Sequence, residues 1–176
     1  SGDKLIGGPQ AGIIAGKKKY IDILRKHPMA RALRVCKTTL SLLESAAKYY
    51  LDEEKLLKHN KVFALISQSP EQLKTKAEKL SKYLQNVNVT SRVEESEGQY
   101  GGGSMPDETL NSFHVIIDLS KETFTAKELF HKLLLQDNPV LGVLRKGMFC
   151  LDVLALQEEE LQEVAELLAQ SFDLLK

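Results

Sequence analysis

The sequence contains few of the residues that form metal sites or disulfides. It has two cysteines, Cys36 and Cys150, and four histidines in 176 residues. The two cysteines lie far apart in apolar surroundings, and neither they nor the histidines show metal-ligand spacing. We therefore expect buried, reduced thiols in a cytoplasmic protein, and no bound metal.

Long apolar segments are also absent. No run approaches the roughly 20 apolar residues that span a membrane, and no secretory signal peptide is visible. The aromatic-bearing sheet motif of a common RNA-binding module is missing too. Hydrophobic residues make up 43% of the chain and charged residues 27%. These are the ordinary proportions of a soluble globular protein, for which we expect no membrane partner.

The net charge is zero, but the charges are unevenly distributed. Residues 1–60 carry 12 Lys and Arg against 6 Asp and Glu, whereas residues 61–176 carry 12 against 18. This asymmetry predicts two units with different partners, of which the first faces anions. A solvated surface without a partner would have the same composition. Together with the lysine-rich stretch before it, the asymmetry places a domain boundary near Asn60.

Hydrophobic periodicity predicts the elements of residues 1–60. In order, these are a buried strand at 12–16, a helix at 17–27, an irregular basic link at 28–35 and a helix from 37 onward. Thr38 or Thr39 is the expected cap of the second helix.

Residues 61–176 predict a small α+β sandwich with helices on a mostly antiparallel sheet. Ser69 and Pro70 open the first long helix, and Thr125 caps the second. The predicted elements are helices at 70–84, 125–135 and 157–175, strands at 88–94, 113–119, 140–145 and 148–153, and a loop at 98–105.

The densest cluster of glycine lies at the start of the chain. Ser1–Gly16 contains five glycines and one proline, a composition typical of a tight loop. Within it, Lys4 stands between Asp3 and an uncharged stretch. Such a lysine can lose its proton by desolvation and act as a Schiff-base amine. A turn lysine that faces solvent is the alternative reading of the same residues.

The segment Ser1–Lys18, with its Gly2-Asp3-Lys4 triplet, resembles the cofactor-lysine segment of bacterial selenocysteine synthases, the L-seryl-tRNA(Sec) selenium transferases. That family is a branch of the fold-type-I enzymes that use pyridoxal 5'-phosphate (PLP). Further similar segments are Gln68–Leu73, Gly101–Pro106 and Asn138–Gly142. The resemblance covers essentially the whole chain and is strongest over residues 1–50.

The resemblance implies a fold, a cofactor and a reaction. Residues 1–60 would be the end of an incomplete large PLP domain, and residues 61–176 the small C-terminal domain. Lys4 would hold PLP as a Schiff base. Asp3 matches an acid of the family and would tune or relay protons; a turn-forming Asp is the alternative. The implied reaction converts seryl-tRNA(Sec) to selenocysteinyl-tRNA(Sec) with selenophosphate.

Two arginines, Arg31 and Arg34, match family arginines expected at the anion-binding part of the active site. Their spacing of three residues would put them on one face of a helical turn. Guanidinium groups suit oxyanions, and the candidate ligands are selenophosphate or a tRNA phosphate. Surface or interdomain salt bridges are the alternative role for both side chains.

The chain begins with Ser1 inside the cofactor-lysine motif, so we expect it to be a fragment. By resemblance, the acid that contacts the pyridine nitrogen and the backbone cradle for the phosphate would lie upstream. We therefore expect the isolated chain to bind PLP weakly and to catalyse nothing, and the parent to be a homo-oligomer. Two other functions stay open: a PLP-dependent lyase acting on a small phosphorylated amino acid, and a non-catalytic assembly module.

Overall fold

The computed structural model describes residues 1–99 and 108–176. Contacts between backbones divide the chain into two compact units, residues 1–67 and residues 68–99 with 108–176. The division lies at Ser67, later in the chain than the position near Asn60 that the composition predicts. Within the described residues, no helix combines the length and apolar character needed to cross a membrane.

The first unit is built from helices. They are α1 (Lys18–Lys26), α2 (Met29–Ala32), α3 (Lys37–Tyr49), α4 (Glu53–His59) and α5 (Lys61–Ile66). The predicted helices at 17–27 and from 37 onward are confirmed as α1 and α3. Each of α4 and α5 begins at a side-chain cap, because Asp52 accepts from the Lys55 amide and Asn60 from the Phe63 amide.

Three predictions for this unit are wrong. The segment Gly12–Gly16 is irregular rather than a buried strand, and Ile14 is 72% exposed. Within the described part of the unit there is no other strand with which it could pair. The predicted irregular link contains helix α2. The cap of α3 is Cys36, whose Sγ accepts from the Thr39 amide, so Thr39 is the donor and not the cap.

The second unit is the predicted α+β domain. Its sheet has the order β1-β2-β4-β3 with every neighbouring pair antiparallel. The strands are β1 (Ser91–Gln99), β2 (Thr109–Ile117), β3 (Val143–Arg145) and β4 (Met148–Asp152), and the helices are α6 (Pro70–Asn86), α7 (Ala126–Leu134) and α8 (Leu161–Leu175). Short 3₁₀ helices cover Val153–Ala155 and Glu158–Glu160, between β4 and α8.

Local signals set the ends of these elements. Ser69 and Gln72 form a capping box at the start of α6, and Thr125 and Glu128 form one at the start of α7. Strand β1 lies later in the chain than the predicted strand at 88–94, and it includes Gly98, which had been placed in a loop. Residues 100–105 of that predicted loop lie outside the described residues.

The core of the second unit lies between the helices and one face of the sheet. Alternate residues of β2, such as Val115, are fully buried against the helices, as is Phe149 of β4. The apolar stripes of α6 and α8 that face this core are buried. They are Leu73, Ala77, Leu80 and Leu84 of α6, and Leu161, Val164, Leu168 and Phe172 of α8.

Candidate functional site

The glycine-rich start of the chain folds into a closed loop held by its own main chain. The Gly2 amide donates to the Ala11 carbonyl at 2.9 Å, the Gly8 amide to the Gly2 carbonyl at 2.8 Å, and the Gly7 amide to the Lys4 carbonyl at 3.1 Å. The turn that contains Lys4 is therefore closed by a hydrogen bond from Gly7. Gly7 has φ of +71°, a conformation that favours glycine.

The loop packs closely against helix α3. A Cβ added to Gly2 would lie 2.6 Å from the Leu43 side chain and 2.6 Å from the Pro9 carbonyl oxygen. Gly2 is buried, and so is Ala46 of α3. The glycine is thus required for close approach of the loop to the helix.

Two side chains from later in the unit bind the loop at Leu5. The Tyr50 hydroxyl donates to the Leu5 carbonyl, and Asn60 Nδ2 donates to the same oxygen at 2.8 Å. The amide nitrogen of Asn60 also lies 3.3 Å from the Tyr50 hydroxyl oxygen. The loop is therefore fixed from outside at the peptide that follows Leu5, one residue beyond Lys4.

Lys4 and Asp3 are adjacent and exposed on this loop. The Ser1 hydroxyl donates to Asp3 Oδ1. This hydrogen bond lowers the pKa of Asp3, and the charge of Lys4 lowers it further by a smaller amount. Asp3 is consequently a carboxylate near neutral pH, next to an amine that solvent and ligands can reach.

The two arginines lie in another part of the unit. Arg31 is in α2, and Arg34 follows the end of that helix at Ala32. The prediction that they share one face of a helical turn is therefore wrong, because the helix ends between them. Both are exposed. Within residues 1–99 and 108–176, no hydrogen bond or ion pair joins either guanidinium group to the Lys4 loop.

The cysteines differ in their surroundings. Cys150 is buried, as predicted, but Cys36 is exposed, so the expectation of two buried thiols is wrong. Cys36 lies at the exposed start of α3, where it caps the helix. Hydrogen bonding from Thr39 lowers the pKa of the Cys36 thiol to about 7. Among the described residues, no group of three or more His, Cys, Asp or Glu side chains is arranged to hold a metal ion.

Comparison with known sequences gives the family. The family model of L-seryl-tRNA selenium transferase (SelA) matches residues 1–157. The chain belongs to this family. The resemblance that begins at the Gly2-Asp3-Lys4 triplet is thereby confirmed.

Individual members of the family match over almost all of this chain. An L-seryl-tRNA(Sec) selenium transferase of Maridesulfovibrio salexigens is 40% identical over 173 residues, which are 97% of this chain and 37% of the relative. One of Clostridium botulinum is 39% identical over 168 residues, 94% of this chain and 36% of the relative. One of Caldanaerobacter subterraneus is 40% identical over 159 residues, 90% of this chain and 34% of the relative. The chain thus spans little more than a third of these selenium transferases.

The residues present fit part of a PLP site. Lys4 offers a primary amine, exposed and carried on a loop whose shape is fixed, which suits attachment to the aldehyde of the cofactor. The exposed guanidinium groups of Arg31 and Arg34 suit an oxyanion. Sequence patterns single out Lys4 as a candidate, but no pattern points to Tyr50 and Asn60, whose contacts to the loop bridge 45 and 55 residues of sequence.

Proposed function

We propose that this chain is the C-terminal portion of a PLP-dependent L-seryl-tRNA(Sec) selenium transferase, with Lys4 as the cofactor lysine. The observation that carries the proposal is Lys4 itself: an exposed amine on a glycine-built loop, in a chain about 40% identical to enzymes of that name. Residues 1–60 would complete a large domain of fold type I, and residues 61–176 would form the small domain.

In this proposal Lys4 has two roles. Its Nζ would hold the aldehyde of the cofactor in the resting enzyme. When free, the same Nζ would take the proton from the seryl Cα and pass it to the departing seryl hydroxyl, which leaves as water. PLP, when bound, supplies an electron sink for the loss of that proton and of the seryl hydroxyl. The selenium of selenophosphate would then add in place of the hydroxyl, and water would cleave the Se–P bond so that the phosphate leaves as inorganic phosphate.

The other candidate residues are one acid, Asp3, and two arginines, Arg31 and Arg34. Asp3, whose carboxylate accepts from the Ser1 hydroxyl, would relay protons to and from the adjacent Lys4. Arg31 and Arg34 bind an oxyanion, either selenophosphate or a phosphate of the tRNA. Because the substrate is an aminoacylated tRNA, the cytoplasm is the expected location.

The first unit also has features of an assembly surface. Large apolar side chains are exposed on it, with Leu33 at 73% and Leu51 at 86%. Where such side chains form a contiguous patch, the patch marks a contact with other protein surface. We propose that the remainder of a longer chain and a second copy cover it, in a homo-oligomeric enzyme.

A chimera tests the function. This chain replaces the matching segment of the Maridesulfovibrio salexigens relative, and the product is assayed with PLP, seryl-tRNA(Sec) and selenophosphate. We expect selenocysteinyl-tRNA from the chimera and none from its Lys4→Ala variant. Lys17→Ala is the matched control, since Lys17 is also an exposed lysine.

Two outcomes would contradict the proposal. If the chimera takes up PLP but does not act on the tRNA, a lyase for a small phosphorylated amino acid becomes the better reading. If Lys4→Ala retains activity, Lys4 is not the cofactor lysine. The isolated chain, tested separately, should bind PLP weakly and form no product; tight stoichiometric PLP binding would refute that expectation.

A further inference from the structure

The carbonyl of Leu5 is an unusual acceptor, because two side chains from distant parts of the sequence donate to it. Tyr50 Oη and Asn60 Nδ2 both bind it, and the two donors lie 3.3 Å from each other. Two donors on one carbonyl fix the plane of its peptide. This peptide directly follows Leu5, so its orientation limits the directions that the main chain at Lys4 can take.

Both polar atoms of the Asn60 side chain are hydrogen-bonded. Asn60 is 6% exposed. Its Oδ1 accepts from the Phe63 amide at 3.0 Å and caps α5, which leaves Nδ2 to face the loop. A Cβ added to Gly7 would lie 3.0 Å from Nδ2. Asn60 therefore touches the Lys4 turn at Leu5 and at Gly7, the residue whose amide closes the turn.

Tyr50 reaches the same point from the end of α3. Its ring packs edge-to-face on Phe63, with centroids 6.0 Å apart and planes at 71°. Burial raises the pKa of the Tyr50 hydroxyl, so it remains a donor over the physiological range. Each donor is thus held in place: Tyr50 by its position at the end of α3 and its contact with Phe63, and Asn60 by its hydrogen bond to the start of α5.

We propose that Tyr50 and Asn60 are positioning residues that hold the Leu5 carbonyl and so fix the main chain that carries Lys4. The inference rests on the proposed role of Lys4 in binding the cofactor. In this role the Lys4 amine must reach two positions in turn, the aldehyde carbon and the Cα proton. Each step is faster if the main chain of Lys4 is held in place, because less conformational entropy is lost when the amine reaches its target.

Asn60→Asp separates positioning from helix capping. Asp caps a helix about as well as Asn, so α5 keeps its cap, but a carboxylate oxygen now faces the Leu5 carbonyl in place of a donor. Asp52→Asn is the matched control. Asp52 Oδ1 caps α4 by accepting from the Lys55 amide at 3.2 Å, and the side chains that donate to the Leu5 carbonyl are Tyr50 and Asn60. The same exchange of carboxyl and amide groups at Asp52 therefore leaves both of those donors in place. Tyr50→Phe removes the second donor and keeps the ring.

The first measurement is amide hydrogen exchange and backbone chemical shift by NMR on the 176-residue chain. In Asn60→Asp we expect the Gly7 and Gly8 amides to exchange at least about tenfold faster, because the Leu5 carbonyl that anchors the turn loses one of its two donors. The Lys4 Cα shift should move toward its unfolded value. Tyr50→Phe should change the same signals in the same direction, while Asp52→Asn and the amides in the middle of α3 should not change. Unchanged Gly7, Gly8 and Lys4 signals in both loop variants would overturn the proposal.

The second measurement uses the chimera and distinguishes this inference from the proposed function. Asn60→Asp and Tyr50→Phe should lower kcat about tenfold with little change in KM for seryl-tRNA(Sec), since neither side chain touches the substrate in this proposal. An unchanged kcat despite altered NMR signals would show that the contact is structural only. An active Lys4→Ala chimera would refute the role of Lys4, but the NMR result for the loop would still stand.

Discussion

The buried amine of Lys76 provides a quantitative test of the second unit. Lys76 lies in α6 and is 6% exposed. Its Nζ donates to the carbonyls of Val153 at 3.1 Å and Leu156 at 2.8 Å, which joins α6 to the 3₁₀ segment after β4. Lys76→Met keeps a side chain of similar length but removes the donors, and Lys76→Ala removes the stem as well.

The expected cost follows from opposing contributions. Leaving two buried carbonyls without a donor costs about 1–3 kcal/mol each. Removing the desolvated ammonium group offsets part of this loss of stability, since burying a charge is itself unfavourable. We therefore expect Lys76→Met to lower the free energy of unfolding by about 2 kcal/mol. Lys76→Ala should cost about 4 kcal/mol, because three further methylenes are lost at about 0.8 kcal/mol each.

The effect of Lys76→Met should depend on pH in a defined direction. Burial lowers the pKa of Lys76 below 10.5, and the nearby carboxylates, chiefly that of Glu158, oppose the shift to a lesser degree. The folded chain thus releases this proton at a lower pH than the unfolded chain does. Between the two pKa values the unfolded state binds more protons, so Lys76 contributes more stability as pH rises toward 10.5. The penalty of the substitution should grow over the same range.

The assay is urea unfolding followed by NMR cross-peaks of α6 and β4, because a chain with two units need not unfold in a single step. The control is Lys79→Met, one turn along the same helix, where the amine pairs with Glu158 at the surface. An exposed pair of this kind contributes at most about 1 kcal/mol. The reasoning is refuted if Lys76→Met has the same free energy of unfolding as the unmodified chain near neutral pH and if no difference between the two develops at higher pH.

Two further predictions concern single sites. Gly142→Ala should destabilise the second unit by about 3 kcal/mol in urea unfolding, because the new Cβ would overlap the buried Phe149 ring and lie 2.9 Å from a main-chain carbonyl oxygen. The control is Gly12→Ala, whose new Cβ would have no atom within 4 Å. Equal stability of the two variants would contradict the prediction. The rate of Cys36 alkylation by iodoacetamide should reach half its maximum near pH 7, since Thr39 lowers the thiol pKa to about 7. Thr39→Val should move that midpoint toward 9.0, and a midpoint already near 9.0 in the unmodified chain would show that the hydrogen bond has no effect.

Most of the second unit could be predicted because its signals are local. A serine before a proline starts α6, and Thr125 with Glu128 starts α7, each within four residues of sequence. The turn between β3 and β4 is set by Lys146 and Gly147, both with positive φ. These patterns act within a few residues of sequence, so they can be recognised without knowledge of the tertiary contacts.

The first unit was harder to predict because its structure depends on distant contacts. An apolar run such as Gly12–Gly16 is typical of a strand, but whether it forms one depends on a partner that local sequence does not specify. The cap by Cys36 was missed because a thiol is an uncommon N-cap. Tyr50 and Asn60 show no motif, and their importance follows only from the position of Leu5, which the fold brings to them.

The pairing of β1 with β2 has a practical consequence for engineering. Their register is continuous over nine residue pairs, from Ser91 with Ile117 to Gln99 with Thr109. The strands are therefore aligned by their own ladder, whatever the length of the chain that joins them. A probe attached to one strand therefore faces a known residue of the other, as Ser96 faces Ser112, which offers a labelling site remote in sequence from Lys4.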